Sequence, residues 1–292
     1  MSEFSSDRRA FLTAGAAGLV GGGAAAAVLT PQQAYAQAPG DSLLRTVLDR
    51  GKLIVGTGST NAPWHFEDEQ GNLVGMDIAM AQILANGLFD DPTKVEFVRQ
   101  EPDARIPNVT TGKVDITIQF MTVTPGRAQL IAFTRPYYVE GIALLTKPGS
   151  KTEKFDALLA GGSETRVSIL QNVDAEQSVH FVLPDAQVLQ LDTQANVIQA
   201  LDSGRVDAAA VDLSTVWWLS KRAPDKYADA GKKWYSMLYA AAVRQGDPDW
   251  LHFVDTTFNV AMFGHQNAIY DKAFEDYFGM KPPVREPGFP KI

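Results

Sequence analysis

The stretch Asp115-Ile116-Thr117-Ile118-Gln119-Phe120-Met121-Thr122-Val123-Thr124-Pro125-Gly126-Arg127 decides the fold. Residues 114–118 are a short apolar run with β-branched side chains, which predicts a buried strand. Periodicity is lost over residues 120–123, which predicts an exposed crossover loop. Thr124 suits the N-cap of a helix whose first position is Pro125. The stretch therefore reads as strand, loop and helix start, with Arg127 in the first helical turn. A cation is unfavourable near the positive end of a helix dipole. Either Arg127 is a solvated surface residue, or it holds an anion together with the free N–H groups of that turn. These residues alone leave both readings open.

Three flanking and included motifs narrow the choice. Gly112-Lys113-Val114-Asp115, then Met121-Thr122-Val123-Thr124-Pro125-Gly126-Arg127, then Ile131-Ala132-Phe133-Thr134-Arg135-Pro136-Tyr137-Tyr138 stand in this order. Together they resemble the bacterial extracellular solute-binding proteins of family 3, the polar amino-acid receptors of ABC importers. The family form is roughly Gly-Lys-x-Asp, Met-Thr-Ile-Thr-Pro-x-Arg and Phe-Ser-x-Pro-Tyr-Tyr. The resemblance implies an α/β, two-lobed periplasmic binding protein of type II (a Venus flytrap). Each lobe would have a parallel-rich sheet, with a two-strand hinge between them. Lobe 1 would comprise residues 37–141 and 241–292, and lobe 2 residues 142–240. The implied partners are an amino-acid ligand and the permease subunits of an ABC transporter, and the expected form is a monomer without a cofactor.

Composition agrees with such a protein. The chain has 292 residues, enough for two lobes, with 45% hydrophobic and 21% charged residues. A net charge of −8 disfavours nucleic acid or an anionic membrane surface as a partner. The absence of cysteine excludes disulfides, a catalytic thiol and a lipoprotein anchor. His65, His180, His252 and His265 lack metal-ligand spacing.

Residues 1–36 read as a leader. Ser6-Asp7-Arg8-Arg9-Ala10-Phe11-Leu12 resembles a twin-arginine export signal, although an arginine pair also suits the basic region of a general secretion signal. The weakly apolar run of residues 14–29 is short for a membrane span. Ala34-Tyr35-Ala36 fits the cleavage rule, so cleavage after Ala36 and a periplasmic mature chain are expected.

The remainder alternates between strand and helix patterns. Helices are expected around residues 43–48 with Gly51 as stop, from 75 through 84, and from 105 to 112. Further helices are expected around 155–159, 197–201, 250–262 and 268–278. Strands are expected over 53–56, 95–98, 142–146, 167–170, 188–191, 206–212 and 235–243, and Gly71-Asn72 makes a turn. This βαβαβ order gives parallel sheets whose carboxyl ends collect ligands. The Pro-rich tail, 282–290, is expected to pack irregularly over lobe 1.

An amino acid at neutral pH carries a carboxylate and an ammonium, and enclosing either without a partner costs several kcal/mol. The resemblance assigns Arg127 to the carboxylate and Asp212 to the ammonium, with Thr122 and the Phe120 backbone carbonyl as further contacts. Asp212 follows Gly204-Arg205-Val206-Asp207-Ala208, which matches a family motif; a helix cap is its other reading. Asn61 stands where the family commonly has an aromatic, and Trp64 either supplies the apolar wall or is a core residue. Gly58 replaces the acid found in members that take cationic amino acids, which argues against lysine or arginine. Arg105 lies in Asp103-Ala104-Arg105-Ile106-Pro107, similar to a motif of glutamate- and aspartate-binding members. It is either a solvated residue or a contact for an acidic or amide side chain. Asn172-Val173-Asp174 replaces a Gly-Thr-Thr or Gly-Thr-Gly pattern. Asp174 either caps the next helix or faces a ligand with an extra donor or second cationic group. It also sustains an alternative, an enzyme like the cyclohexadienyl dehydratases that act on prephenate or arogenate, with Asp174 or Glu176 as acid.

Overall fold

The computed structural model describes residues 42–171, 174–279, 281–282 and 285. The expected leader and its cleavage point lie outside these residues, as do Asn172, Val173 and most of the tail.

The first half opens with α1 (Leu43–Arg50), which the Ser42 hydroxyl caps and Gly51 closes in the left-handed conformation. Next come β1 (Leu53–Thr57), β2 (Thr60–Asn61), β3 (His65–Glu67), β4 (Leu73–Val74) and α2 (Met76–Phe89). These are followed by β5 (Val95–Arg99), α3 (Arg105–Thr110), β6 (Ile116–Thr122), α4 (Pro125–Ala128) and β7 (Ala132–Phe133). β1 pairs in parallel with both β5 and β6. Between β1 and α2 the chain folds into a small antiparallel sheet, β2-β3-β4, and the expected Gly71-Asn72 turn lies between β3 and β4.

The second half comprises β8 (Tyr138–Thr146), α5 (Phe155–Ala160), β9 (Arg166–Leu170), α6 (Ala175–His180) and β10 (Gln187–Leu191). α7 (Gln194–Asp202), β11 (Ala208–Asp212), α8 (Leu213–Arg222) and β12 (Ala228–Val243) complete it. β9 is parallel to both β10 and β11. α9 (Pro248–Phe263) and α10 (Ala268–Phe278) then pack on the first half.

One sheet runs β10-β9-β11-β8-β12-β6-β1-β5, with β7 beside β12. Its central pair, β8 and β12, is antiparallel and belongs to both halves. Leu144, Ala230 and Trp234 enter a core with Leu158, Val167 and Val179 of the second half. Tyr239, Ala241 and Val243, farther along β12, enter the core formed by Met80, Leu84, Trp250 and Phe258. Each half thus buries its own apolar faces, and two strands connect them.

Several boundaries differ from the sequence reading. β6 continues through Thr122, because Met121 and Thr122 pair with Ala240 and Tyr239 across a shift in register. A bulge of this kind breaks the alternation by which a strand is read. β12 starts seven residues earlier than expected and β8 four earlier, again across register shifts. α2 extends to Phe89, past an Asn-Gly pair that weakens the helical pattern. The tail expectation falls mostly outside the described residues, but Arg285 does bind Met262 O and Asp271 on α9 and α10.

Gly75 fixes the entry to α2. Its φ is 130°, and a Cβ there would lie 2.1 Å from the Trp64 carbonyl oxygen. Gly75→Ala is therefore expected to destabilise the fold by about 1–3 kcal/mol through strain alone. A thermal melt of the ligand-free variant that matched the wild type would refute this.

Candidate functional site

A cavity of about 790 Å3 is lined by both halves. The first half contributes Arg105, Phe120, Thr122 and Arg127; the second contributes Gln171, Asp174, Ser178 and Asp212; β12 adds Tyr235, Met237 and Tyr239. Six of the eight residues singled out from sequence therefore share one cavity wall.

Arg127 is set by its own helix start. The Thr124 hydroxyl accepts the Arg127 N–H at 3.3 Å, and the guanidinium donates from Nη1 to Thr122 O at 2.7 Å. Arg105 begins α3 and donates to Pro102 O at 2.8 Å and Gln119 O at 3.2 Å, with its guanidinium 5.9 Å from the Phe120 ring centre. Among the described residues, these hydrogen-bond partners are carbonyl oxygens, which orient a cation without neutralising it. Burial lowers the pKa of both groups, and the charge of Arg127 helps bring Arg105 down to about 10. An anion entering the cavity relieves this cost, and a planar guanidinium suits a carboxylate.

Opposite them, Asp212 ends β11 and directly precedes α8. Its side chain makes no cap bond to that helix and faces the cavity instead. Burial raises its pKa to about 6, against a lowering hydrogen bond from the Tyr239 hydroxyl. Asp174 directly precedes α6 but does not cap it. It is exposed and lines the cavity, so the helix-cap expectation is corrected. Glu176 is also exposed. Asp207 pairs with Arg166 through two bonds of 2.9 and 3.1 Å, a structural contact.

Two residues lie elsewhere. Trp64 is fully buried and is absent from the cavity wall. Its ring packs edge-on against Tyr138, Tyr239 and Phe278, and its Nε1 donates to Ser214 Oγ at 2.9 Å. The core reading of Trp64 is therefore the one observed. Asn61 is buried in β2, away from that wall. At Gly58 a Cβ would lie 2.6 Å from the His65 ring, so the position has no room for a side chain.

Sequence reasoning missed what holds Phe120 in place. Asp77 is fully buried at the start of α2. Its Oδ2 accepts the Phe120 N–H at 3.0 Å and meets His65 Nδ1 at 2.8 Å, while Oδ1 accepts the Tyr137 hydroxyl at 2.7 Å. Phe120 has a φ of 30°, sparsely populated for a side-chain-bearing residue, and His65 stacks on its ring. This network fixes the backbone between Arg105 and Arg127. Tyr239 was also missed; only its place in an apolar run, pointing inward, marked it.

The chain belongs to the bacterial extracellular solute-binding proteins, family 3, whose sequence profile matches residues 53–280. The glutamine-binding protein of Geobacillus stearothermophilus is 30% identical over 187 residues, covering 64% of this chain and 70% of that one. The L-cystine-binding protein of Escherichia coli K12 is 28% identical over 239 residues, 80% of this chain and 86% of its own. An ancestral amino acid-binding protein, described as a precursor of cyclohexadienyl dehydratase, superposes with a TM-score of 0.68 at 31% identity. That match covers 81% of this chain and 100% of the other. The fold is that of the type II periplasmic binding proteins. No helix among the described residues is long and apolar enough to cross a membrane.

Proposed function

We propose that this protein is the periplasmic substrate-binding subunit of an ABC importer and takes a polar or acidic amino acid. One observation carries the reading: Arg127 and Asp212, from different halves, line the same cavity. Arg127 takes the ligand carboxylate and Asp212 its ammonium, with Thr122 and the Phe120 carbonyl beside them. A ligand bridging the halves binds the closed form better and shifts the population toward it, the form the permease subunits would receive. Arg105 gives the ligand side chain a cation to meet, and the crowded Gly58 leaves no acid for a basic side chain. The relatives that bind glutamine and cystine support the polar class. In this reading residues 1–36 are a cleaved twin-arginine leader, and the mature chain acts as a monomer whose lobes divide near residues 141 and 241.

Thermal unfolding of the chain from Gln37 tests this against the twenty amino acids, L-cystine, prephenate and arogenate. A hundredfold excess over Kd of a ligand bound only by the folded state adds about 2.7 kcal/mol of stability. A raised Tm with one or two polar amino acids is expected. No shift with any amino acid, or turnover of prephenate or arogenate, would overturn the reading.

A further inference from the structure

Asp212 occupies a helix-cap position without capping. The capping bond comes instead from Glu140 on β8, one of the two connecting strands. Glu140 Oε1 accepts the Ser214 N–H at 3.3 Å and the Gly141 N–H at 2.9 Å, and Oε2 accepts the Ser214 hydroxyl at 2.5 Å. Glu140 is 1% exposed, and the sequence reading gave it no role. Ser214 Oγ also receives the indole N–H of Trp64, so one chain of bonds joins the first half, the connecting strand and the start of α8.

We propose that Glu140 is a positioning residue of the ligand site: it caps α8 from the connecting strand and so leaves the Asp212 carboxylate to face the cleft and receive the ligand's ammonium group. The ammonium clause rests on the reading proposed above.

The same arrangement makes binding sensitive to protons. Asp212 faces Glu140 from the end of β11, Tyr239 from β12 and Tyr138 from β8, with Tyr270 of α10 beyond Tyr138. Met237 of β12, which pairs with Glu140, is neutral, as are Ser214 and Trp64. None of these groups is a cation; Arg105 and Arg127 line the same cavity from the first half. Two carboxyls enclosed together resist the second ionisation. Burial first, then the Asp212 charge, push Glu140 up to about 8, while burial holds Asp212 at about 6. An arriving ammonium favours the fully ionised pair. The ligand-free protein therefore holds more protons than the complex, so binding releases a proton. Affinity accordingly rises as pH rises from about 6 to about 8 and falls as pH drops through that window.

The test uses the whole mature chain, with L-glutamine as first probe and L-cystine as second. Calorimetry in two buffers of different ionisation enthalpy counts the protons released. The wild type is expected to release a fraction of a proton at pH 7. Glu140→Ala is expected to lose at least about tenfold in affinity, since two buried N–H groups and a hydroxyl lose their acceptor and the start of α8 beside Asp212 is no longer held. Glu140→Gln keeps an acceptor, so it recovers most of that loss, but with proton release at pH 7 largely gone and a flat profile from pH 7 to 8, leaving only the Asp212 step near pH 6. Wild-type proton release in Glu140→Gln would overturn the proposal. So would a Glu140 carboxyl that titrates in the ordinary carboxylate range in the ligand-free wild type, followed by carbon NMR. That second outcome leaves the amino-acid reading standing, whereas silence from every amino acid in the thermal series removes the reading itself. If Glu140→Ala fails to fold, the glutamine variant and the titration still decide.

Discussion

Arg127→Ala is expected to weaken binding of the cognate amino acid by about two to three orders of magnitude. Removing one partner of an enclosed, hydrogen-bonded charge pair costs about 2–5 kcal/mol, which corresponds to a factor of about 30 to several thousand in Kd. The ligand-free fold should hardly change. Within the protein the guanidinium donates to the Thr122 carbonyl, and the helix start it occupies is set by the Thr124 hydroxyl, which caps the Arg127 N–H. Arg127→Lys should recover little, because an ammonium cannot reproduce a planar two-point contact with a carboxylate. Calorimetric titration beside a ligand-free melt separates the two effects. Retention of wild-type affinity in Arg127→Ala would remove this residue from the site.

Asp77→Ala should produce the largest loss of stability, about 3–5 kcal/mol, as expected when one member of a buried polar pair is deleted. Its two oxygens serve the Phe120 N–H, the Tyr137 hydroxyl and His65 Nδ1, and all three would be left in the core without their acceptor. Equilibrium unfolding in urea measures this directly, and a change under 1 kcal/mol would contradict it. A second consequence sets this position apart from an ordinary core deletion. Phe120 would lose the bond that keeps its φ positive, so affinity should fall even at temperatures where the variant remains folded.

The sequence made local devices legible. The Thr124–Pro125 helix start, the Gly51 stop and the extent of α10 needed only near neighbours to read, and the structure has all three. The motif run also brought Arg127, Thr122 and Phe120 to one wall. Features set by distant partners were not legible. The end of β6 depends on a register shift against β12, more than a hundred residues on. Trp64 had two open readings, and its bond to Ser214, 150 residues away, goes with the core one. Asp212 and Asp174 both precede helices, where short polar residues commonly cap, and neither does so. For Asp212 the reason is visible only in three dimensions, where Glu140 supplies the bond instead. α8 was missed altogether: its Trp217-Trp218 pair and buried Ser214 and Thr215 blur the apolar stripe by which an amphipathic helix is recognised.

The central claim is that one ligand bridges the two halves through Arg127 and Asp212. A crystal structure of the mature chain with the amino acid that raises its Tm most tests this directly. The expected complex has the ligand carboxylate within hydrogen-bond distance of the Arg127 guanidinium and the ammonium within the same distance of the Asp212 carboxylate. A ligand held by one half alone, or with its head groups against neither residue, would contradict it.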